Sequence, residues 1–198
     1  VCRVDPQSLQ AADDLSRWVE EWGFRGVRLS PGNGPEGDWF TAPALGALWD
    51  RARDLNVPVC ILAHLERLPD LEKWVREYDG VKVCVDHMAW PPVDRPESLP
   101  MLLSLAQYPQ VYVKISGTWA VSKQAYPYPD THDAVRRIYD AFGPERLMWG
   151  TDWPLVEGKC GYTGALDMVR EHFAFLNAED RTWILGRTVR QLWPFDRK

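Results

Sequence analysis

No apolar run in this 198-residue sequence approaches the roughly 20 residues needed to cross a bilayer, and its first residues lack the basic-then-apolar order of a secretion signal. A membrane segment is therefore not expected, and the chain reads as cytoplasmic. Basic charge is in deficit: 23 Lys and Arg stand against 28 Asp and Glu, a formal charge of -5, with the basic residues scattered. Nucleic acid is an improbable partner for such a surface. The four cysteines, Cys2, Cys60, Cys84 and Cys160, are widely separated, and the first three lie in apolar runs. That pattern fits reduced, buried thiols rather than a disulfide framework or a zinc knuckle. No Gly-rich fingerprint follows any apolar run. The stretch Gly32-Asn33-Gly34-Pro35-Glu36-Gly37 lacks the Lys-Ser/Thr ending of a phosphate loop and reads as a flexible surface turn. No Gly-x-Ser-x-Gly elbow occurs and no cysteine has a catalytic setting, so activated water is favoured over a covalent nucleophile.

What is present is enough to build a core, because 45% of the residues are hydrophobic and eleven are Trp. Several indoles fall on the apolar stripes of predicted helices, Trp18, Trp22 and Trp49 among them, where packing is their first role. Six short runs rich in β-branched residues read as strands: Val1 to Val4, Gly26 to Ser30, Val57 to His64, Val81 to His87, Val111 to Ser116 and Leu147 to Asp152. Their starts are 24 to 36 residues apart, the cadence of β/α units. Between them lie helical patterns, such as Leu15, Trp18, Val19 and Trp22 with Gly23 as a stop, and Leu45, Leu48, Trp49, Ala52 and Leu55 after Thr41 as N-cap. Four more follow, through Leu68 to Tyr78, Leu99 to Ala106, Val135 to Phe142 and Leu166 to Leu176, and Asn177 caps a last one. The segment from Ala120 to Asp133 reads as a long loop after a strand. The expected class is α/β, a (β/α)8 barrel of which about six of eight units are present, as a single domain over residues 1–198. Val1 opens directly into a strand, which implies an upstream segment.

In a parallel barrel the chemistry sits at the C-terminal ends of strands, so polar residues closing an apolar run are the candidates. Val81-Lys82-Val83-Cys84-Val85 closes in Asp86-His87, and Leu147-Met148-Trp149-Gly150 closes in Thr151-Asp152. Alternation lets only one of Asp86 and His87 face the mouth, and His87 is the choice. An imidazole and a carboxylate can hold a borderline divalent ion, and Asp152 can also take a proton from water. The bland alternatives are a core histidine bonded to a backbone carbonyl and an aspartate capping a turn. His64 closes another strand, as ligand, substrate contact or structural residue. Lys114 and Arg28 interrupt apolar strands and need a partner, either an acidic side chain or a carboxylated ligand. His132 and His172 read as surface or packing residues.

Gly26-Val27-Arg28-Leu29, Val85-Asp86-His87-Met88, Val113-Lys114-Ile115-Ser116-Gly117 and Trp149-Gly150-Thr151-Asp152-Trp153-Pro154 together resemble the amidohydrolase-related family. The likeness is closest to its lactonase branch of TIM-barrel metal-dependent hydrolases. The resemblance implies that His87 binds metal or polarises a carbonyl, that Asp152 binds metal and shuttles a proton, and that Arg28, His64 and Lys114 meet the substrate. It implies a small-molecule substrate and hydrolysis of a lactone or cyclic ester, with or without a divalent metal such as zinc or manganese. The family's alternative reaction is decarboxylation of an aromatic or unsaturated acid. The family's first strand carries a His-x-His pair, and none occurs in this sequence. Two strands and two ligands are thus expected upstream, without which the chain would be an inactive fragment. Its exposed strand edges would then pair with another chain, as in a homo-oligomer.

Overall fold

A computed structural model describes residues 1–30 and 39–194. The Gly32 to Gly37 turn lies outside them. Six parallel strands form one sheet in the order of the chain: β1 (Cys2–Arg3), β2 (Val27–Leu29), β3 (Val59–Ile61), β4 (Val83–Val85), β5 (Val111–Ile115) and β6 (Leu147–Trp149). All six expected strands form, each shorter than its apolar run. The connecting helices are α1 (Ala11–Glu20), α2 (Leu45–Asp54), α3 (Leu68–Glu77), α4 (Pro100–Leu103), α5 (Thr118–Val121), α6 (His132–Phe142), α7 (Gly161–Asp167), α8 (Ala178–Thr182) and α9 (Thr188–Leu192). No helix of the described residues is long and apolar enough to cross a membrane.

Alternation along each strand divides the interior in two. On β5 the odd residues Val111, Val113 and Ile115 pack with helix residues such as Leu45, Leu71 and Ile138 in the main core. The even side faces a second, smaller cluster containing Cys60, Cys84 and Met148, with Tyr112 against it. Val1, Arg28, Cys60, Asp86, Lys114 and Trp149, drawn from all six strands or their ends, line a single cleft of about 350 Å³. In a flat sheet β1 and β6 would stand about 24 Å apart at ~4.8 Å per strand. The sheet is therefore the wall of an incomplete barrel.

The C-terminal segment supports this curl. Leu192 and Trp193 fill the inner cluster, and the Trp193 indole Nε1 donates to the Arg25 carbonyl at 2.7 Å, joining the last helix to the start of β2. The Asn177 cap is present: its side chain accepts from the amides of Glu179 and Asp180, and Asp180 returns a bond to the Asn177 amide. Other expectations need correction. Trp22 is 67% exposed, because α1 ends at Glu20 and the indole falls beyond the last helical turn. Thr41 is not the cap of α2; it ends a separate 3-10 turn, Trp39–Thr41, and α2 starts from Ala44. The Ala120 to Asp133 stretch contains the end of α5, a short 3-10 turn at Pro129–Thr131 and the start of α6. Cys2, Cys60 and Cys84 are buried and unpaired as expected.

Candidate active site

Arg28 and Lys114 are strand-interior cations facing the inner side of the curl, and each meets Asp86. The Arg28 Nε donates to Asp86 Oδ2 at 2.7 Å and the Lys114 Nζ to Asp86 Oδ1 at 2.6 Å. Register explains the second contact: Cys84 pairs with Tyr112 and Val85 with Val113, so the next inward pair is Asp86 with Lys114. Asp86 is 1% exposed, so a carboxylate there needs both cations. Burial opposes the Lys114 charge, but negative charge at Cys84, Cys60 and Asp86 outweighs it and holds the Lys114 pKa above its ordinary value.

The expectation that only one of Asp86 and His87 faces the cleft is corrected by the backbone: alternation keeps Asp86 inward with Cys84, and the turn that follows brings His87 round as well. Strand β4 ends at Val85, and His87, Met88, Ala89 and Trp90 all have positive φ, from 53° to 58°. A left-handed residue costs a non-glycine side chain about 1–2 kcal/mol, so four in succession require strong packing. Met88 and Ala89 supply it, both at 1% exposure or less within the main core. The turn brings His87 to the same cleft as Asp86.

The His87 ring is hydrogen-bonded at one nitrogen and faces a carboxylate with the other. Its Nδ1 shares a 2.9 Å hydrogen bond with the Ser116 hydroxyl, and its Nε2 lies 3.5 Å from Asp152 Oδ1. Burial pushes the His87 pKa below its usual value, with the negative charges of Asp152 and Asp86 pulling it partly back, so the ring is neutral near pH 7. When the Ser116 hydroxyl donates to Nδ1, the single ring proton sits on Nε2, beside the cleft. Strands β4 and β6 are separated by β5, about 10 Å apart if flat, so the 3.5 Å approach is another result of the curl. Asp152 also has positive φ, 61°, and its Oδ2 is buried with no hydrogen-bond partner among the described residues. An orphaned carboxylate oxygen in a cleft is costly unless a ligand or water uses it.

His64 stands apart: it is exposed, does not line the cleft, and its ring lies 6.4 Å from that of Trp90. The His132 Nε2 donates to the Pro127 carbonyl at 3.0 Å, and His172 pairs with the Tyr126 hydroxyl at 2.9 Å. Ser116 was not singled out by sequence, although it lies two residues from Lys114 and therefore on the same side of the strand. A divalent ion fits this set poorly. His87 Nε2 and Asp152 offer two donors, both Asp86 oxygens are taken, and the described residues contain no group of three His, Cys, Asp or Glu able to hold a metal.

Known proteins are similar to this chain in sequence and in fold. Residues 1–195 match the amidohydrolase family. An L-fucono-1,5-lactonase of Burkholderia ambifaria is 31% identical over 204 aligned residues, covering 98% of this chain and 69% of the lactonase. A 4-sulfomuconolactone hydrolase of Hydrogenophaga intermedia is 36% identical over 122 residues, 59% of this chain and 33% of that enzyme. Among solved structures, an amidohydrolase from Burkholderia multivorans with bound zinc superposes with a TM-score of 0.85 at 22% identity, covering 97% of this chain and 72% of that one.

Proposed function

The chain belongs to the amidohydrolase family, and on that premise we propose that it hydrolyses a lactone, with Asp152 and His87 at the reacting carbonyl and Arg28 and Lys114 facing the substrate. The observation that carries this reading is the unpartnered Asp152 Oδ2, 3.5 Å across from a neutral imidazole by way of Oδ1. Asp152 takes a proton from water as the water oxygen attacks the carbonyl carbon. The His87 Nε2–H donates to the carbonyl oxygen as it becomes an oxyanion, while Ser116 keeps the ring in that tautomer. The tetrahedral carbon then expels the ring oxygen, the C–O bond breaks, and Asp152 returns the proton to the leaving oxygen. Water is consumed and a hydroxy acid is formed.

No step is assigned to zinc or manganese, because the described residues supply two donors and a catalytic ion takes three. The domain assignment is also a proposal. This chain spans 69% of the Burkholderia ambifaria lactonase. Strands β1 and β6 each have one neighbour, and a groove of about 510 Å³ lined by Val1, Phe24, Met148, Trp149 and Trp193 runs between them. Residues 1–198 are accordingly read as a single barrel domain whose first strands precede Val1 and close that groove. The buried unpaired thiols favour a reducing, cytoplasmic setting.

The test is Asp152→Asn in the complete protein, assayed against a panel of sugar and unsaturated lactones. A fall in kcat of at least about 100-fold with a folded protein is expected. Normal turnover by the variant on the best lactone, or carbon dioxide release without a ring-opened product, would overturn the reading.

A further inference from the structure

We propose that Trp90 is a positioning residue for the His87 imidazole, fixing the ring plane so that Nε2 addresses the cleft. The proposal rests on the reading of His87 given above, and deepens it. Trp90 does not line the cleft, so its role is exerted through its neighbour. Its ring centroid lies 4.4 Å from that of His87 with the planes tilted by 30°, so the two rings are in direct contact. The Trp90 amide donates to the His87 carbonyl at 2.9 Å, so the two residues are tied at the backbone as well.

The edge of the indole is accommodated at Gly117, beside His87 itself. A Cβ on Gly117 would lie 2.7 Å from Trp90 Cζ3 and 3.4 Å from His87 Cβ, and Gly117 has a φ of 72°. Glycine at that position therefore admits the indole against the end of β5, immediately beside Ser116, which bonds His87 Nδ1. A hydrogen bond at one nitrogen leaves the imidazole free to rock about that bond. A flat ring packed against it removes that freedom, and the pair together define both the direction and the tilt of Nε2. The apolar side chains of Met88 and Ala89 anchor the same left-handed turn in the core, which fixes the indole's own origin. His64 lies beyond, its ring 6.4 Å from the indole centroid.

The proposal is tested with Trp90→Leu and Trp90→Phe in the complete protein, read by kinetics and by the NMR signals of the His87 ring. In the wild type the His87 ring protons show nuclear Overhauser contacts to the indole and an upfield ring-current displacement. Trp90→Leu is expected to abolish that displacement and lower kcat about 10- to 100-fold with KM within about twofold. Trp90→Phe, which keeps a flat face, recovers most of kcat and part of the displacement. A folded Trp90→Leu with wild-type kcat and wild-type His87 contacts to Ser116 overturns the proposal. If the leucine variant does not fold, the phenylalanine variant and the wild-type spectrum decide. Absence of indole contacts to the His87 ring, or a displaced ring with unchanged kcat, overturns it. The spectroscopic arm does not require lactone turnover, so a failure of the lactonase reading is distinguishable from a failure here.

Discussion

Replacing Asp86 with Asn removes the single anion that two inward-facing cations share. Asp86 is 1% exposed, and its contacts with Arg28 and Lys114 are 2.7 and 2.6 Å. A hydrogen bond to a charged group contributes roughly 1.5–3 kcal/mol, and breaking a fully buried pair costs roughly 3–5. The Arg28 and Lys114 side chains retain 31% and 27% exposure, so water relieves part of the loss. A destabilisation of about 2–3 kcal/mol follows for the two contacts together. With a urea dependence of about 2 kcal/mol per molar, the unfolding midpoint should fall by about 1–1.5 M. The cause would be a stranded cation rather than a lost contact area, so Asp86→Asn combined with Lys114→Met should recover about 1 kcal/mol. Equilibrium urea unfolding followed by tryptophan fluorescence measures all three proteins. A single variant within about 0.2 M of wild type, or a double variant less stable than the single, would refute the argument.

Other expectations follow from the same geometry. Asp152→Asn should unfold no more easily than wild type, since it removes a buried oxygen without a partner and asparagine tolerates the φ of 61°; a loss above about 1 kcal/mol in urea would contradict this. His87 has a folded pKa lowered by burial below the ordinary 6.5, so the unfolded chain binds its proton first as pH falls. Stability contributed by the neutral ring is full above that ordinary value and is lost progressively below it. Thermal unfolding between pH 7.5 and 5 should show a declining midpoint whose slope is reduced in His87→Gln; an equal slope in both would argue against the buried neutral ring. The 198-residue chain alone, with β1 and β6 each paired on one side, should self-associate, and light scattering at the monomer mass over a wide concentration range would be the contrary result.

The barrel was legible because strand and helix carry different periods. Runs such as Val57 to Ala63 are continuous, as suits strands covered on both faces, and all six expected strands form. What sequence could not supply was register. Lys114 and Arg28 were recognisable as cations in need of a partner, but that Asp86 serves both depends on β4 and β5 aligning Cys84 with Tyr112. The strict alternation used to separate Asp86 from His87 failed for a local reason. It assumes extended backbone, and the chain leaves that conformation at Val85 for four left-handed residues. His64 shows the same limit from the other side: closing a strand puts a residue at the rim, yet the turn after β3 leaves its ring outside the cleft. Trp22 shows that an apolar stripe extended past a helix end predicts burial that no helix provides.

The charges of the cleft explain why these residues work as one group. Arg28 and Lys114 face Asp86 and Asp152 around a neutral His87, so two cations balance two carboxylates before reaction. In the proposed hydrolysis, proton transfer from water to Asp152 moves one negative charge from the protein to the carbonyl oxygen. Asp86 meanwhile holds both cations through short hydrogen bonds, so they need not reorganise as charge moves. Fixed positive charge beside a developing oxyanion lowers the barrier more than mobile solvent can, because its orientation is already set. On the proposed reading Asp86 serves without touching the reacting atoms: it engages Arg28 and Lys114 on its own two oxygens, and the buried Asp152 Oδ2 keeps no partner among the described residues.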